Sequence, residues 1–264
     1  MKLQGFKFSN AMYYIWYDIA DDKLEEIRVN KLRKMFTNEF PLYEQNDAFE
    51  FILQLFDKLQ DEKTLKTMYF NSDDYKNIED PWKLYISKFP SIIDQLFSGI
   101  MQDTRTCTGW NYQTKLFSRF VDISLSLEYD DLVSAYYQYL SRSSYESLWK
   151  KWEKYNEIVI SKEIVKLPKY CLFKLNRFEF MTYSKNNKYI EYPESLEMSD
   201  NYDYGIKYEL KSFAIHSGTF EYGHYTAVAK KNDSWVYFSD SFSSKIRKED
   251  ALNQKPYILV YQRV

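Results

Sequence analysis

Hydrophobic residues recur at helical spacing in the first third of the chain. Pro41 is a helix start signal, and from Glu44 to Glu62 the apolar positions lie three or four residues apart. This spacing predicts one helix with a single apolar face, formed by Ala48, Phe51, Ile52, Leu55, Phe56 and Leu59. The first hundred residues are accordingly predicted to be mainly helical.

The pattern changes near residue 117. Phe117–Leu127 alternates between apolar and polar residues and predicts a strand, whereas the tyrosine-rich segments Asp130–Leu140 and Tyr145–Tyr155 are predicted as helices. After Pro168 short turns such as Lys231–Asp233 separate predicted strands, as in antiparallel pairs. These strands are Tyr170–Phe178, Lys207–His216, His224–Lys230, Ser234–Phe238 and Tyr257–Gln262. Helices that precede strands indicate an α+β fold rather than a parallel α/β sheet.

The composition excludes a disordered or low-complexity chain. The 264 residues include 26 Tyr, 19 Phe and 6 Trp but only 6 Gly and 6 Pro, which is the opposite of a disordered composition. No repeat and no linker rich in Gly, Ser or Pro divides the sequence. We therefore expect residues 1–264 to form one large domain.

The charge and cysteine content exclude several classes of protein. The formal net charge is −2 and no polybasic block is present, so a nucleic-acid partner is not expected. No run of 18 apolar residues predicts a membrane span, and the first residues lack the apolar run of a signal peptide. Two cysteines are too few for a disulfide framework and suit a reducing compartment. The expected location is intracellular, in the cytoplasm or the nucleus.

The two histidines of the chain, His216 and His224, lie eight residues apart with Gly218 and Gly223 between them. Glycines in so glycine-poor a chain indicate backbone that bends or approaches a neighbour closely. His224 opens a predicted strand, a position that suits a general base, although a lone histidine is more often structural. A thiol nucleophile is harder to find. Cys171 lies in an apolar strand and Cys107 in a predicted loop, and neither is at a helix N-terminus.

Seven segments, in order along nearly the whole chain, resemble the ubiquitin-specific proteases, which are cysteine deubiquitinases of papain-like chemistry. The segments are Gln45–Phe51, Phe97–Gly99 with Cys107 and Phe120–Leu127, Leu167–Phe178, Tyr192–Leu196, Tyr208–Val228, Trp235–Asp240 and Tyr257–Tyr261. The resemblance implies a papain-like fold with a helical thumb over about residues 1–100, a finger insertion over 101–167 and an antiparallel palm sheet over 168–264. His216 and His224 match the two histidines of the family pattern.

The chain departs from the family pattern at the catalytic positions. The family's nucleophile segment matches Gly5–Ile15, where Tyr13 takes the cysteine position without a gap and Met12 takes it with one deletion. The asparagine that would donate to the oxyanion becomes Phe8. The residue that would orient the base becomes Ser239, and only its neighbour Asp240 keeps a carboxylate. Among the catalytic positions, the base His224 is the one that is retained.

The family's zinc ligands are also substituted. Of two expected CxxC pairs, Cys107 retains one cysteine next to Trp110, and Trp149–Trp152 occupies the place of the second pair. Four ligands are needed and the chain supplies no CxxC, so no metal and no other cofactor are expected. These tryptophans either replace the metal by aromatic packing or belong to an ordinary helix; both alternatives are open.

The resemblance and the departures together predict a catalytically inactive member of the family. A phenol has a pKa near 10 against about 8.5 for a thiol, and a thioether has no proton to lose. Such a protein would act by binding ubiquitin or a ubiquitin-like protein, or as a scaffold subunit of a protein complex. One alternative is an active ubiquitin hydrolase with an unrecognised nucleophile, and another is a fold reused for an interaction unrelated to ubiquitin. A cysteine sulfur within hydrogen-bond reach of His224 would favour the active enzyme.

Overall fold

The computed structural model describes residues 7–20, 29–41, 44–61, 80–88, 91–109, 112–149 and 154–264. Seven helices lie in this part of the chain, and five of them precede residue 98, as the hydrophobic pattern predicts. Their bounds are α1 (Lys7–Ala20), α2 (Val29–Lys34), α3 (Ala48–Asp61), α4 (Pro81–Lys88), α5 (Ile92–Phe97), α6 (Leu132–Leu140) and α7 (Lys248–Leu252). In the described residues no helix is long and apolar enough to cross a membrane.

The predicted helix over Glu44–Glu62 is α3, and it begins four residues later than the pattern indicated. Asp47 is its N-cap, since its Oδ1 accepts hydrogen bonds from the backbone N–H groups of Phe49 at 2.7 Å and Glu50 at 3.1 Å. Glu62 lies outside the described residues. The cap explains the later start, because a side chain that accepts from the first turn must itself stand outside the helix.

The larger sheet holds most of the second half of the chain. Its strands run in the order β13-β12-β11-β10-β14-β6-β3, and β9 pairs with the first part of β10. All of these neighbours are antiparallel except β3 and β6. The bounds are β3 (Ile123–Leu125), β6 (Tyr170–Leu175), β9 (Ser195–Met198), β10 (Ile206–Gly218), β11 (Gly223–Lys231), β12 (Ser234–Ser239), β13 (Phe242–Ile246) and β14 (Pro256–Arg263). A short hairpin, β7 (Phe178–Glu179) with β8 (Ser184–Lys185), follows β6.

A smaller antiparallel sheet is formed by four strands that precede β6 in the sequence. Its order is β2-β1-β5-β4, with β1 (Gly99–Cys107), β2 (Tyr112–Phe120), β4 (Ser143–Trp149) and β5 (Lys154–Lys166). The helix predicted over Tyr145–Tyr155 is wrong, because the described residues there belong to β4 and β5. The reason is pairing: Tyr145 lies opposite Ile158 in a regular ladder, and tyrosine suits a strand well when a partner strand is present.

The strand predicted over Phe117–Leu127 is two strands. β2 ends at Phe120 and pairs with β1, whereas β3 begins at Ile123 and pairs in parallel with β6. Ile123 and Leu125 are fully buried in the main hydrophobic core, which fills the space between the larger sheet and α6. The helix predicted over Asp130–Leu140 is confirmed as α6, capped by Asp131, which accepts from the N–H of Ser134.

A buried carboxylate ties the helices to the smaller sheet. Asp94 of α5 accepts hydrogen bonds from Tyr85 of α4 at 2.6 Å, Gln60 of α3 at 3.0 Å and Ser98 at 3.0 Å. It also pairs with the guanidinium of Arg119 on β2 at 2.9 Å. Its oxygens therefore join α5 and the adjacent Ser98 to three other elements, α3, α4 and β2.

Replacing Asp94 with Asn should destabilise the protein by about 2–4 kcal/mol, because an amide cannot accept from all four donors and leaves Arg119 without its counter-charge. Urea denaturation followed by circular dichroism measures this change. Asp130→Asn is the matched control, since that side chain is 94% exposed and pairs only at the surface with Lys188. The control should stay within about 0.5 kcal/mol of wild type. Equal effects of the two substitutions would contradict the role given to Asp94.

Candidate active site

The turn between β10 and β11 places His224 at the start of β11. Gly218 has φ +128, and a Cβ there would stand 2.3 Å from the carbonyl oxygen of Tyr222. A Cβ on Gly223 would lie 2.0 Å from Nε2 of His216. Both glycines are therefore required by close approach of the backbone, as the sequence predicts, and together they fix where His224 leaves the turn.

Ser239 and Asp240 meet His224 on one side of its ring. Nε2 of His224 lies 2.9 Å from Oγ of Ser239 and 3.6 Å from Oδ2 of Asp240. Ser239 ends β12, and Asp240 follows in the tight turn to β13 with φ +49. The hydroxyl, not the carboxylate, is thus within hydrogen-bond distance. An aspartate or asparagine at 239 would stand where the serine stands, whereas Asp240 is exposed and reaches the ring from the edge.

The predicted nucleophile positions lie on α1. Phe8 and Met12 face inward, one turn apart, into a small cluster around the buried Ala11 and Phe36, and the rings of Phe8 and Phe36 meet edge to face at 5.3 Å. Tyr13 is on the other side of the helix and is 49% exposed. Helix α1 packs mainly on α2 and α3. Phe8 and Met12 are therefore packing residues of the helical part.

In regular helix geometry the backbone N–H groups of Met12 and Tyr13 already donate within α1. Tyr13 is the seventh residue of α1, so in regular helix geometry its N–H donates to the carbonyl of Ser9. The N–H groups that remain free in a helix belong to its first turn. Neither Met12 nor Tyr13 thus offers a backbone donor to a developing oxyanion, and the Phe8 side chain has no donor at all.

Both cysteines of the chain are buried, and Cys171 lies far from His224. Cys107 is at the end of β1 and Cys171 near the start of β6, and burial raises the pKa of Cys171 well above its usual value. Cys171 pairs with Tyr261, which lies opposite Leu210, whereas His224 lies opposite Ser217. Leu210 and Ser217 are roughly 20 Å apart along β10. β14 and β10 lie between β6 and β11, which adds about 14 Å across the sheet, so Cys171 is far from His224.

The metal prediction concerns residues that the structure describes only in part. No three His, Cys, Asp or Glu side chains cluster in a way that would hold a metal among the described residues. Cys107 is fully buried. Trp110 and residues 150–152 lie outside the described part, so the proposed replacement of zinc by tryptophan packing stays a prediction.

The structure also reveals a contact that the motifs do not predict. Asp47, the cap of α3, accepts a second hydrogen bond through Oδ2 from the hydroxyl of Tyr257 on β14, at 2.5 Å. His216 stands beside it, packed between Phe178 at 5.1 Å and Tyr225 at 4.7 Å between ring centroids. Burial and then the nearby Lys185 lower the pKa of His216, and Asp47 opposes them. The only sequence signal for this contact is the position of Asp47 inside the segment Gln45–Phe51.

Comparison with known proteins supports the assignment. The ubiquitin carboxyl-terminal hydrolase family matches residues 5–261. "Probable ubiquitin carboxyl-terminal hydrolase 16" of Schizosaccharomyces pombe is 28% identical over 247 residues, covering 89% of this chain and 51% of that protein. "Ubiquitin carboxyl-terminal hydrolase 21" of Homo sapiens is 22% identical over 297 residues, covering 97% and 52%. The chain thus spans about half the length of these relatives.

Solved structures agree on the fold. The SAGA DUB module of Ubp8, Sgf11, Sus1 and Sgf73 bound to monoubiquitin matches with a TM-score of 0.77 and 21% identity, covering 98% of this chain and 59% of that chain. Another structure of the Ubp8-Sgf11-Sgf73-Sus1 SAGA DUB module matches with a TM-score of 0.72 and 24% identity, covering 97% and 57%. The match to the family model extends over nearly the whole sequence, and the chain belongs to the ubiquitin carboxyl-terminal hydrolase family.

Proposed function

We propose that this chain is a catalytically inactive member of its family that acts by binding ubiquitin or a protein partner. The observation that carries the proposal is that neither cysteine of the chain is accessible. The sequence has two cysteines, both are buried within strands, and the helix that matches the family's nucleophile segment carries methionine and tyrosine instead. Burial raises the pKa of the Cys171 thiol, so it forms little thiolate, and the thiolate is the attacking species.

The rest of the site supports the same proposal. His224 keeps a partner on Nε2 in Ser239, but a neutral hydroxyl stabilises an imidazolium less than a carboxylate does. Removing one oxyanion donor alone typically costs about 2.7–4 kcal/mol in barrier, and Phe8 replaces such a donor. Without a thiol nucleophile, an oxyanion donor and an orienting carboxylate, His224 has no reaction to assist as a base.

Binding is the activity that does not require a nucleophile, an oxyanion donor or an orienting carboxylate. Relatives of similar fold include a DUB module bound to monoubiquitin and to the subunits Sgf11, Sus1 and Sgf73. Both classes of partner, ubiquitin and complex subunits, are therefore proposed for this chain. The reduced, buried cysteines fit the intracellular location that the sequence predicts.

The wild-type protein should neither hydrolyse ubiquitin that carries a fluorogenic C-terminal amide nor form an adduct with ubiquitin that carries a thiol-reactive C-terminus. The reason is the absence of an accessible thiol. Fluorescence and intact-protein mass spectrometry measure the two outcomes. Cys107→Ser and Cys171→Ser are the controls: turnover or an adduct that one of them abolishes would identify that cysteine as the nucleophile and establish the active-enzyme alternative.

Binding of ubiquitin should depend little on its C-terminal tail. Tyr13 takes the family's Cys position in the alignment without a gap, is 49% exposed and is much larger than cysteine, and overfilling a packed site costs about 1–3 kcal/mol. In calorimetric titration we expect ubiquitin without its two terminal glycines to bind within about threefold of intact ubiquitin. A tenfold difference in Kd would correspond to about 1.4 kcal/mol of binding free energy. A loss of tenfold or more on trimming would contradict the blocked tail site. Failure of both forms to bind would leave the scaffold role alone.

Restoring hydrolysis should need several substitutions together, because the members of a catalytic group act as a unit. Tyr13→Cys or Met12→Cys alone should give little turnover. Combination with Phe8→Asn and Ser239→Asp restores the family's residue types at both positions. The new carboxylate replaces the Ser239 hydroxyl, whose Oγ lies 2.9 Å from Nε2 of His224. Phe8 packs on Phe36, so Phe8→Asn should also cost a few kcal/mol of stability.

The fluorogenic ubiquitin assay checks this order of effects, with each variant's folding confirmed by urea denaturation. The triple variant with Ala in place of the new cysteine is the control for background. Turnover from a single cysteine substitution equal to that of the triple variant would show that Phe8 and Ser239 do not limit catalysis.

A further inference from the structure

A recess of about 370 Å³ opens between the end of β10, the segment after β8 and the loop before β14. Three cationic side chains line it, Arg177, Lys185 and Lys255, together with the amides Asn187, Asn253 and Gln254. No Asp or Glu is among the described residues that line it. The site of His224 does not use these three cations, and neither of the nucleophile positions lies here.

Arg177 is 2% exposed, and its side chain donates hydrogen bonds to backbone carbonyl oxygens. Nε donates to the carbonyl of Pro256 at 2.6 Å, and Nη1 donates to the carbonyls of Asn186 at 3.0 Å and Lys188 at 2.9 Å. Nη2 has no hydrogen-bond partner among the described residues. Burial lowers the pKa of Arg177 to about 10. The guanidinium thus remains charged at neutral pH, with two N–H donors unused and no carboxylate in contact.

Lys185 adds a second charge that is only partly satisfied. Its Nζ donates to the carbonyls of His216 at 2.7 Å and Gly218 at 3.2 Å, which leaves one of three donors. Burial, then the charge of Arg177, then the charge of Lys255 lower its pKa. Lys185 therefore lies close enough to Arg177 and to Lys255 to be repelled by each of them. Lys255 is exposed and stands at the mouth of the recess.

A buried charge without a counter-charge is costly, and a water molecule satisfies a donor without neutralising the charge. Arg177 supplies positive charge from within the wall, since its unpartnered Nη2 is itself buried, and Lys185 keeps one donor unused. Three such cations with no acid among the described lining residues match a compact dianion that has several acceptor oxygens. We propose that this recess binds a small phosphate-class oxyanion, either free phosphate or the phosphate of an ester. A singly charged carboxylate offers two oxygens and neutralises one of the three charges, which is why phosphate is the better match.

Calorimetric titration of the full chain at constant ionic strength, adjusted with sodium chloride, tests this. Inorganic phosphate and O-phosphoserine are the two probes, and acetate and serine are their controls. We expect saturable binding of at least one phosphate probe. Lys255→Gln should weaken it about tenfold by removing one of the charges. Lys207→Gln, an exposed lysine on β10 outside the recess, should change nothing.

Lys255 is exposed, so its substitution should leave the fold intact, and an unchanged urea midpoint verifies this. Binding of phosphate alone assigns the free ion, and binding of O-phosphoserine alone assigns an ester; each supports the site. Three results overturn it. These are no saturable binding of either probe, equal binding of acetate, or equal weakening by Lys255→Gln and Lys207→Gln, which would indicate general charge attraction.

Discussion

The carboxylate of Asp47 is the interaction on which the position of α3 relative to the larger sheet depends. One oxygen caps α3 and the other accepts from Tyr257, a buried residue on a central strand. Burial and the hydrogen bond to Asp47 both raise the pKa of Tyr257, so the phenol stays a donor at any ordinary pH. Because a helix start and a strand share one side chain, α3 cannot shift along the sheet without losing two sets of hydrogen bonds. The apolar contacts of Phe49 with Tyr257 and Ile258 then form around this point.

The chemistry of the site and the packing of the fold are separable in this protein. The inward face of α1 makes good apolar contacts through Phe8 and Met12, and the β10–β11 turn keeps both glycines that its backbone requires. The changes on which the proposed loss of activity rests are in groups that would carry charge or a proton. A packed interior responds to shape and volume, whereas catalysis depends on particular atoms at particular places. Substitutions that remove a catalytic atom but keep a packed interior therefore leave the fold of the family intact.

The end of β10 connects the site of His224 with the cationic recess. The side chain of His216 packs against Tyr225 and Phe178 on the side of Asp47, while its carbonyl accepts from Lys185 of the recess. Gly218, required by the turn before His224, accepts from the same lysine. An anion held in the recess would neutralise part of the positive charge around Lys185. Because Lys185 donates to these two carbonyls, the anion would also stabilise the turn that carries His224. The two sites thus share a few residues of backbone without sharing a reactive group.

The sequence by itself determined the fold class, the helix over Glu44–Glu62 to within a few residues, most strands after Pro168, and the need for close backbone approach at Gly218 and Gly223. These follow from local periods and from the small set of backbone conformations open to each residue. It could not distinguish strand from helix at Tyr145–Tyr155, because an isolated strand has no preference until its partner is in place. Tertiary structure alone decided that Ser239, rather than Asp240, is the hydrogen-bond partner of His224, and that Asp47 reaches Tyr257. It alone also brought Arg177, Lys185 and Lys255 together, since residues 78 positions apart become neighbours only when β6 and β14 pair and the chain closes around them.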